Sequence, residues 1–441
     1  MEKFKRFARW LEVLLWLGCA AYLFPKAYER ISSYLELSTG GPGVQEGRVA
    51  SPLRLGSLTA SGFAQGSAVR LGESPSTHYG DARWTNADQH FGELVDDIPE
   101  AEYDPSLAHA AREVAQVFAS TNKVPEHGAF MFLLNAAGAA DWGVKQALML
   151  TTQTGDEPVR ERLLNLLATE QTSARPARVG IGEVLQLGVP PRRSIAILVS
   201  RSDLYIDRTP RELFAGTTLS LSGLLPRGAE RLSVLRLGPD GLMTTLESVI
   251  EDERFRVEVP AGIHRGTVWV ELIASMQNGP TPLAQMGFYV GTQLPTEWTG
   301  VAHGEEETIR TPAEAEELAL QLLLRDRRQN GVAPLLRDES LDGVARAHCA
   351  EMQEEGYFGH HSPYTGGVRD RINDAGLNFK SVGENLARNT SIGSAQEGLM
   401  FSIGHRRNCL SERFSAVGIG VSMAENNGKR VWHLCQVFGS R

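Results

Sequence analysis

The chain has 441 residues, a hydrophobic content of 42% and a formal net charge of −9 at pH 7. This length exceeds what one hydrophobic core normally organises, so about two to four domains are expected. The acidic balance argues against a nucleic-acid partner, because such a partner needs a basic surface that displaces counterions.

Residues 1–30 have the pattern of a signal-anchor or a signal peptide. Four basic residues among the first nine precede an apolar run over residues 10–24, and this order is typical of export signals. The run is shorter than the ~20 residues of a confident spanning helix. An uncleaved anchor, a cleaved signal, a lipoprotein modified at Cys19 and a buried helix therefore all stay open. The first three export the rest of the chain and make the membrane a partner of this segment.

Two further stretches precede the middle of the chain and differ in composition. Residues 31–98 are rich in Gly and Ser and predict a flexible tether with one or two short strands. Residues 99–207 predict mixed α and β structure: a helix capped by Asp104, helices over 130–137 and 159–169, and strands over 179–187 and 194–200.

The middle of the chain predicts a β-sandwich. Residues 208–297 contain short alternating strands separated by turn signals such as GPDG and PAG, without helical periodicity. An acidic linker over 298–311 follows, and Pro312 then begins a helix.

A repeat is visible without any assumption about the fold. The tetrapeptide VGIG occurs at 179–182 and at 417–420, and each copy follows a D-x-S-L helix start, at 104–107 and at 338–341. The two motifs occur in the same order in both copies, and the distance between them along the chain is nearly the same. This agreement indicates an internal duplication. The earlier copy lacks the histidine-rich and acidic blocks of the later one, so it is expected to be structural.

The later copy carries four polar blocks, namely YFGHHSP (357–363), VRDRINDAG (368–376), VGENLA (382–387) and FSIGHRRN (401–408). In this order they resemble the bacterial branch of the cysteine-rich secretory/antigen 5/pathogenesis-related (CAP) superfamily. The resemblance extends over residues about 310–441. It implies that residues 312–441 form a CAP domain, an α-β-α sandwich. Together with the duplication, this predicts a multidomain α+β protein whose residues 99–207 are a degenerate CAP-like repeat.

The resemblance also implies a cleft lined by two histidines and two carboxylates. By position these are His360, Glu384, His405 and, in the DR block, Asp370; His361 is the weaker choice for the first histidine. Two imidazoles with Glu384 could hold a divalent metal such as zinc. The same groups could do acid–base chemistry, or each could be structural.

Three functions stay open. The first is an envelope protein, anchored or secreted, that binds a metal, a lipid, a glycan-derived ligand or a protein in this cleft. The second is a metal-dependent hydrolase of envelope or peptide substrates, with water activated between His360 and His405 and Glu384 as base. The third is a purely structural surface protein. The resemblance favours binding over catalysis.

The cysteines leave two arrangements open. Outside the N-terminal segment the sequence has Cys349, Cys409 and Cys435. One bridge with one free thiol, or three buried thiols, would both suit a chain of this size.

Overall fold

The computed structural model describes residues 53–54, 65–80, 86–168, 175–277, 279–301, 309–426 and 429–441. The predicted signal or anchor over residues 1–30 lies outside these ranges. Within them, no helix combines the length and the apolar character needed to cross a membrane.

The helices in the described ranges are α1 Asn86–Asp96, α2 Pro105–Thr121, α3 His127–Ala136, α4 Glu157–Ala168, α5 Pro312–Gln329, α6 Glu339–Glu354, α7 Val368–Asp374, α8 Ile392–Phe401 and α9 Ile403–Leu410. The strands are β1 Leu53–Arg54, β2 Gln65–Arg70, β3 His78–Tyr79, β4 Ala101–Tyr103, β5 Lys145–Thr151, β6 Ala177–Gln186, β7 Arg192–Ser200, β8 Tyr205–Ile206, β9 Thr209–Pro210, β10 Glu212–Leu213, β11 Thr218–Leu224, β12 Leu232–Leu237, β13 Leu242–Leu246, β14 Ser248–Glu251, β15 Arg254–Pro260, β16 Gly266–Met276, β17 Gly279–Val290, β18 Glu297–Val301, β19 Leu336–Arg337, β20 Ser381–Asn389, β21 Ala416–Asn426 and β22 Lys429–Ser440.

An N-terminal unit is built on the four-stranded sheet β4-β6-β7-β5. Helix α2 packs on this sheet and begins at the predicted N-cap, since the Asp104 carboxylate accepts the N–H groups of Ser106 and Leu107. The predicted helices and strands of this stretch are confirmed within a few residues at their ends.

A central unit consists of two sheets, β1-β13-β12-β16-β17-β10 and β14-β15-β11-β8. One hydrophobic core contains residues of both sheets, among them Phe255 and Val257 from β15 and Val270 and Phe288 from β16 and β17. The sheets therefore pack face to face, as the alternating strands predict.

The structure differs from the expected tether over 31–98 wherever it describes that stretch. Strand β1 pairs with β13, and β2 pairs with β18. Tyr79, Phe91 and Val95 are buried. These partners lie far away along the chain, so local composition, dominated by Gly and Ser, does not reveal them.

A C-terminal unit is built on the sheet β19-β21-β22-β20, with helices on both faces. Residues of α6 and α7 share a core with Leu386 and Val437 on one side. Residues of α5, α8 and α9 share a core with Val417 and Phe438 on the other. Helix α5 begins at Pro312, as predicted, behind a capping box formed by Thr311 and Glu314.

The two α+β units have the same strand arrangement. In each, a short strand pairs parallel with the first strand of a long hairpin, and a strand that lies between them in the sequence pairs antiparallel with the second hairpin strand. Asp338 caps α6 as Asp104 caps α2. These matches support the proposed duplication.

The repeated VGIG motif has a steric reason in both units. A Cβ atom added to Gly180 would lie 2.1 Å from the backbone carbon of Leu107, and one added to Gly418 would lie 2.0 Å from that of Leu341. Helix and strand can approach this closely only without a side chain between them. The glycines thus set the distance of α2 and α6 from their sheets.

We expect Gly418→Ala to destabilise the C-terminal unit by about 3 kcal/mol, because overpacked side chains force backbone shifts. Hydrogen exchange of β21 peptides would measure the change separately from the other units. Gly343→Ala is the matched control: it lies in α6 with nothing near its added Cβ, and an alanine in a helix gains up to about 1 kcal/mol. Equal protection in Gly418→Ala and the parent would contradict the explanation.

Candidate functional site

The structure brings three of the predicted residues together. His360 lies in the loop between α6 and α7, Glu384 on β20 and His405 on α9. The rings of His360 and His405 lie 6.2 Å apart between centroids, with 29° between their planes. His360 Nδ1 lies 2.9 Å from Glu384 Oε2.

Glu384 is held as a buried carboxylate. Its Oε1 accepts a hydrogen bond of 2.6 Å from the guanidinium of Arg371, and its side chain is fully shielded from solvent. Burial raises its pKa, but Arg371 and His360 outweigh burial and lower the pKa to about 2. Each oxygen already has a protein partner, so in this arrangement Glu384 orients His360 and neutralises Arg371.

His405 is held as a neutral imidazole. Its Nδ1 lies 2.9 Å from Ser402 Oγ. Desolvation by the surrounding protein, together with the neighbouring His360 and Arg407, lowers its pKa to about 3. A neutral ring is the form that binds a metal, and Nε2 is the nitrogen that remains for it.

Two asparagines tie these elements together. Asn385 Nδ2 donates to the carbonyl of His405 at 3.2 Å. Asn408 Nδ2 donates to the carbonyl of Glu384 and to Asn385 Oδ1. The GEN and GHRRN blocks therefore fix β20 and α9 relative to each other, beyond supplying Glu384 and His405.

Asp370 has a local role in the structure. Its carboxylate accepts the N–H of Gly367 at 3.0 Å and closes the first turn of α7. The neighbouring basic residue, Arg371, is the one that contacts Glu384. His361, the weaker choice for the first histidine, is exposed.

The central unit also contacts this site. Glu271 on β16 accepts hydrogen bonds from Ser402 Oγ at 2.6 Å and from the N–H of Gly404 at 2.8 Å. Gly279 of the central unit also lies beside His360, since a Cβ added to this glycine would be 3.4 Å from the Cβ of His360. Sequence reasoning missed Glu271; the available signal was a charged residue inside the apolar run VWVELIA.

A compact three-ligand group occurs elsewhere among the described residues. Potential ligand atoms of Glu73, His109 and Glu113 lie within 4.8 Å of one another. Arg112 pairs with Glu73, and Glu113 accepts the N–H groups of Gly72 and Glu73. These contacts give the cluster a structural explanation.

Of the two arrangements that the sequence left open for Cys349, Cys409 and Cys435, the structure has the one with a disulfide and a free thiol. Cys349 on α6 and Cys435 on β22 form a disulfide, and Cys409 on α9 is free and buried. The bridge joins the helix that precedes the His360 loop to the sheet that carries Glu384. It therefore supports the framework of the site.

Residues 320–438 match the model of the cysteine-rich secretory protein family, CAP. The C-terminal unit is thus a CAP domain. Two proteins similar to the chain come from a bacterium. The chain is 34% identical over 106 residues to the uncharacterized protein YkwD of Bacillus subtilis strain 168, which covers 24% of this chain and 41% of that protein. It is 35% identical over 114 residues to the uncharacterized membrane protein YlbC of the same strain, which covers 26% of this chain and 32% of that one.

The chain therefore matches less than half the length of either relative. A solved extracellular protein of Bacillus anthracis that contains an SCP domain is also similar, with 17% identity, coverage of 63% of this chain and 92% of that one, and a TM-score of 0.28. That score is too low to establish a common overall architecture.

Proposed function

We propose that this protein acts on the outer side of the cell membrane, held there by residues 1–30, and that its CAP domain binds a divalent metal such as zinc between His360 and His405. The bound metal ion would then take part in binding a ligand of the cell envelope, which completes the coordination of the ion.

The pair of oriented imidazoles carries the metal proposal. Each ring has its Nδ1 engaged, in His360 by Glu384 and in His405 by Ser402. Metal-binding histidines are typically oriented in this way through the nitrogen that does not bind the metal. With metal–nitrogen bonds of about 2 Å, rings 6.2 Å apart between centroids are within reach of one shared ion.

The location outside the membrane rests on two features. Disulfides persist in oxidising compartments, and Cys349–Cys435 is a buried bridge of the domain. The basic and apolar start of the chain has the order of an export signal. The relative YlbC, described as a membrane protein, is consistent with the same placement.

The geometry favours binding over the hydrolase in which Glu384 is the base. A general base works best when its pKa is near the working pH. The pKa of Glu384 is lowered to about 2, and both of its oxygens have partners. Glu384 would therefore be a weak proton acceptor in this arrangement.

Zinc titration of the purified full-length chain tests the metal site. We expect His360→Ala and His405→Ala each to weaken zinc binding by about 100-fold or more, because each removes one of the two nitrogen ligands. His361→Ala is the matched control, since this neighbour is exposed, and it should bind zinc as the parent does. Unchanged affinity in both test variants would refute the proposal and redirect attention to Glu73, His109 and Glu113.

A further inference from the structure

A carboxylate of the central unit lies directly behind the histidine on α9. Glu271 is fully buried on β16, and its Oε1 accepts the hydroxyl proton of Ser402 at 2.6 Å. Its Oε2 accepts the N–H of Gly404 at 2.8 Å. Glu271 thus caps the first turn of α9, the helix that carries His405, from a different unit of the protein.

The proton count at Ser402 determines the state of His405. A hydroxyl has one proton to donate and two acceptor positions. Above the pKa of Glu271 the proton goes to this carboxylate, because an ionised carboxylate only accepts. The two acceptor positions then receive the backbone N–H of His405 at 3.3 Å and its ring Nδ1 at 2.9 Å. Nδ1 must therefore carry a hydrogen, and Nε2 of the neutral ring must be unprotonated.

We propose that Glu271 is a positioning residue for the cleft: acting through Ser402, it holds His405 in the Nδ1–H tautomer and so presents Nε2 as a free ligand nitrogen. The central unit then helps to form the binding site through Glu271, which acts on His405 by way of Ser402. The consequence for metal affinity rests on the function proposed above, whereas the tautomer itself does not.

Replacement of Glu271 by glutamine is expected to reverse the direction of two hydrogen bonds, the one between residue 271 and Ser402 and the one between Ser402 and His405 Nδ1. The N–H of Gly404 requires an acceptor, so in Glu271→Gln the oxygen of the new amide faces that N–H when the geometry is kept. The amide NH₂ then faces Ser402 Oγ, which accepts and turns its own proton toward His405 Nδ1. The ring would carry its hydrogen on Nε2, where it blocks a metal.

The experiment uses the full-length chain labelled with ¹⁵N-histidine at pH 8. This pH keeps the carboxylate ionised, because burial, only partly offset by Ser402 and the backbone of α9, raises the pKa of Glu271 to about 7. Long-range ¹H–¹⁵N correlation spectra report which ring nitrogen carries the hydrogen, and His405→Ala assigns the signal. Zinc alone is the binding probe.

We expect the Nδ1–H form in the parent and the Nε2–H form in Glu271→Gln, with zinc affinity lower by about 10- to 100-fold. Gln285→Met is the matched control, because Gln285 is buried in the same interface and its side-chain amide donates to the carbonyl of Phe401 at 2.7 Å, whereas the hydroxyl of Ser402 donates to Glu271. It should keep the parent tautomer. Ser402→Ala removes the intermediate hydroxyl and should mix the two tautomers even if Glu271→Gln does not fold.

The outcomes separate the two proposals. An unchanged Nδ1–H tautomer in Glu271→Gln, or in Ser402→Ala if the first variant does not fold, overturns the role of Glu271. A tautomer change confined to the Glu271 and Ser402 variants supports that role, whether or not the parent protein binds zinc. Failure of the parent protein to bind zinc would refute the metal site alone. A similar change in Gln285→Met would reduce Glu271 to a general interface residue and overturn the inference.

Discussion

Glu384→Gln is expected to lower the free energy of unfolding of the CAP domain by about 3–5 kcal/mol at pH 7, the cost of breaking a buried ion pair. The substitution keeps the size of the side chain but removes its charge. Arg371, only 5% exposed, would then be a buried cation without its carboxylate. Hydrogen exchange of peptides from β20 and β22 would measure the loss within this domain.

The same pair predicts how stability depends on pH. The pKa of Glu384 is about 2 in the folded protein against a usual 4.5. A carboxyl with a lowered folded pKa stabilises the fold above its unfolded pKa, and this stabilisation is lost as the pH falls through the folded value. The contribution should therefore be complete above about pH 5 and disappear between about pH 4.5 and pH 2.

A control for this experiment is Glu354→Gln, an exposed glutamate at the end of α6. It should leave both the stability at pH 7 and the acid dependence nearly unchanged, as is usual for surface substitutions. If Glu384→Gln behaved in the same way, the ion pair would not stabilise the folded domain, and the interpretation of the cleft would have to change.

Removal of the Cys349–Cys435 bridge is also expected to lower the free energy of unfolding of the C-terminal unit strongly. The bridge closes a loop across 86 positions, and the chain-entropy estimate for that length is about 4.6 kcal/mol. We expect the double variant Cys349→Ala/Cys435→Ala to lose about this much stability in the C-terminal unit. The measurement is urea unfolding of the full chain with and without a reducing agent, followed by hydrogen exchange of β22.

Cys409→Ser provides the control for the bridge. Its thiol is not part of the disulfide, so the variant should remain sensitive to the reducing agent, whereas the double alanine variant should not respond to it. Reductant-independent unfolding of the parent protein would show that the bridge contributes nothing to stability.

Local signals predicted the parts of this fold that depend on neighbouring residues. Asp104 and Pro312 were recognisable as a helix cap and a first helical residue because capping and proline geometry are local. The four polar blocks of the CAP domain placed His360, Glu384 and His405 in one cleft, and the structure brings them together.

Contacts between distant segments were the part that the sequence did not reveal. Strand β2 pairs with β18, which lies more than 200 positions further along the chain. Because this partner is not visible locally, the Gly- and Ser-rich sequence around β2 suggested a tether. Glu271 reaches Ser402 from another unit for the same reason. Asp370 was assigned by its position in a motif, and motif position does not say whether a carboxylate turns toward a cleft or toward its own helix.

The buried thiol of Cys409 has a consequence for how this protein matures. Burial raises the pKa of Cys409 to about 12, and thiol–disulfide exchange proceeds through the thiolate. Once α9 has docked, Cys409 can neither attack the finished bridge nor link two molecules. Before docking, three thiols of the domain compete for one bond. Any mispaired molecule must therefore be corrected while the chain is still open, because the folded domain no longer offers Cys409 as a reactive thiolate.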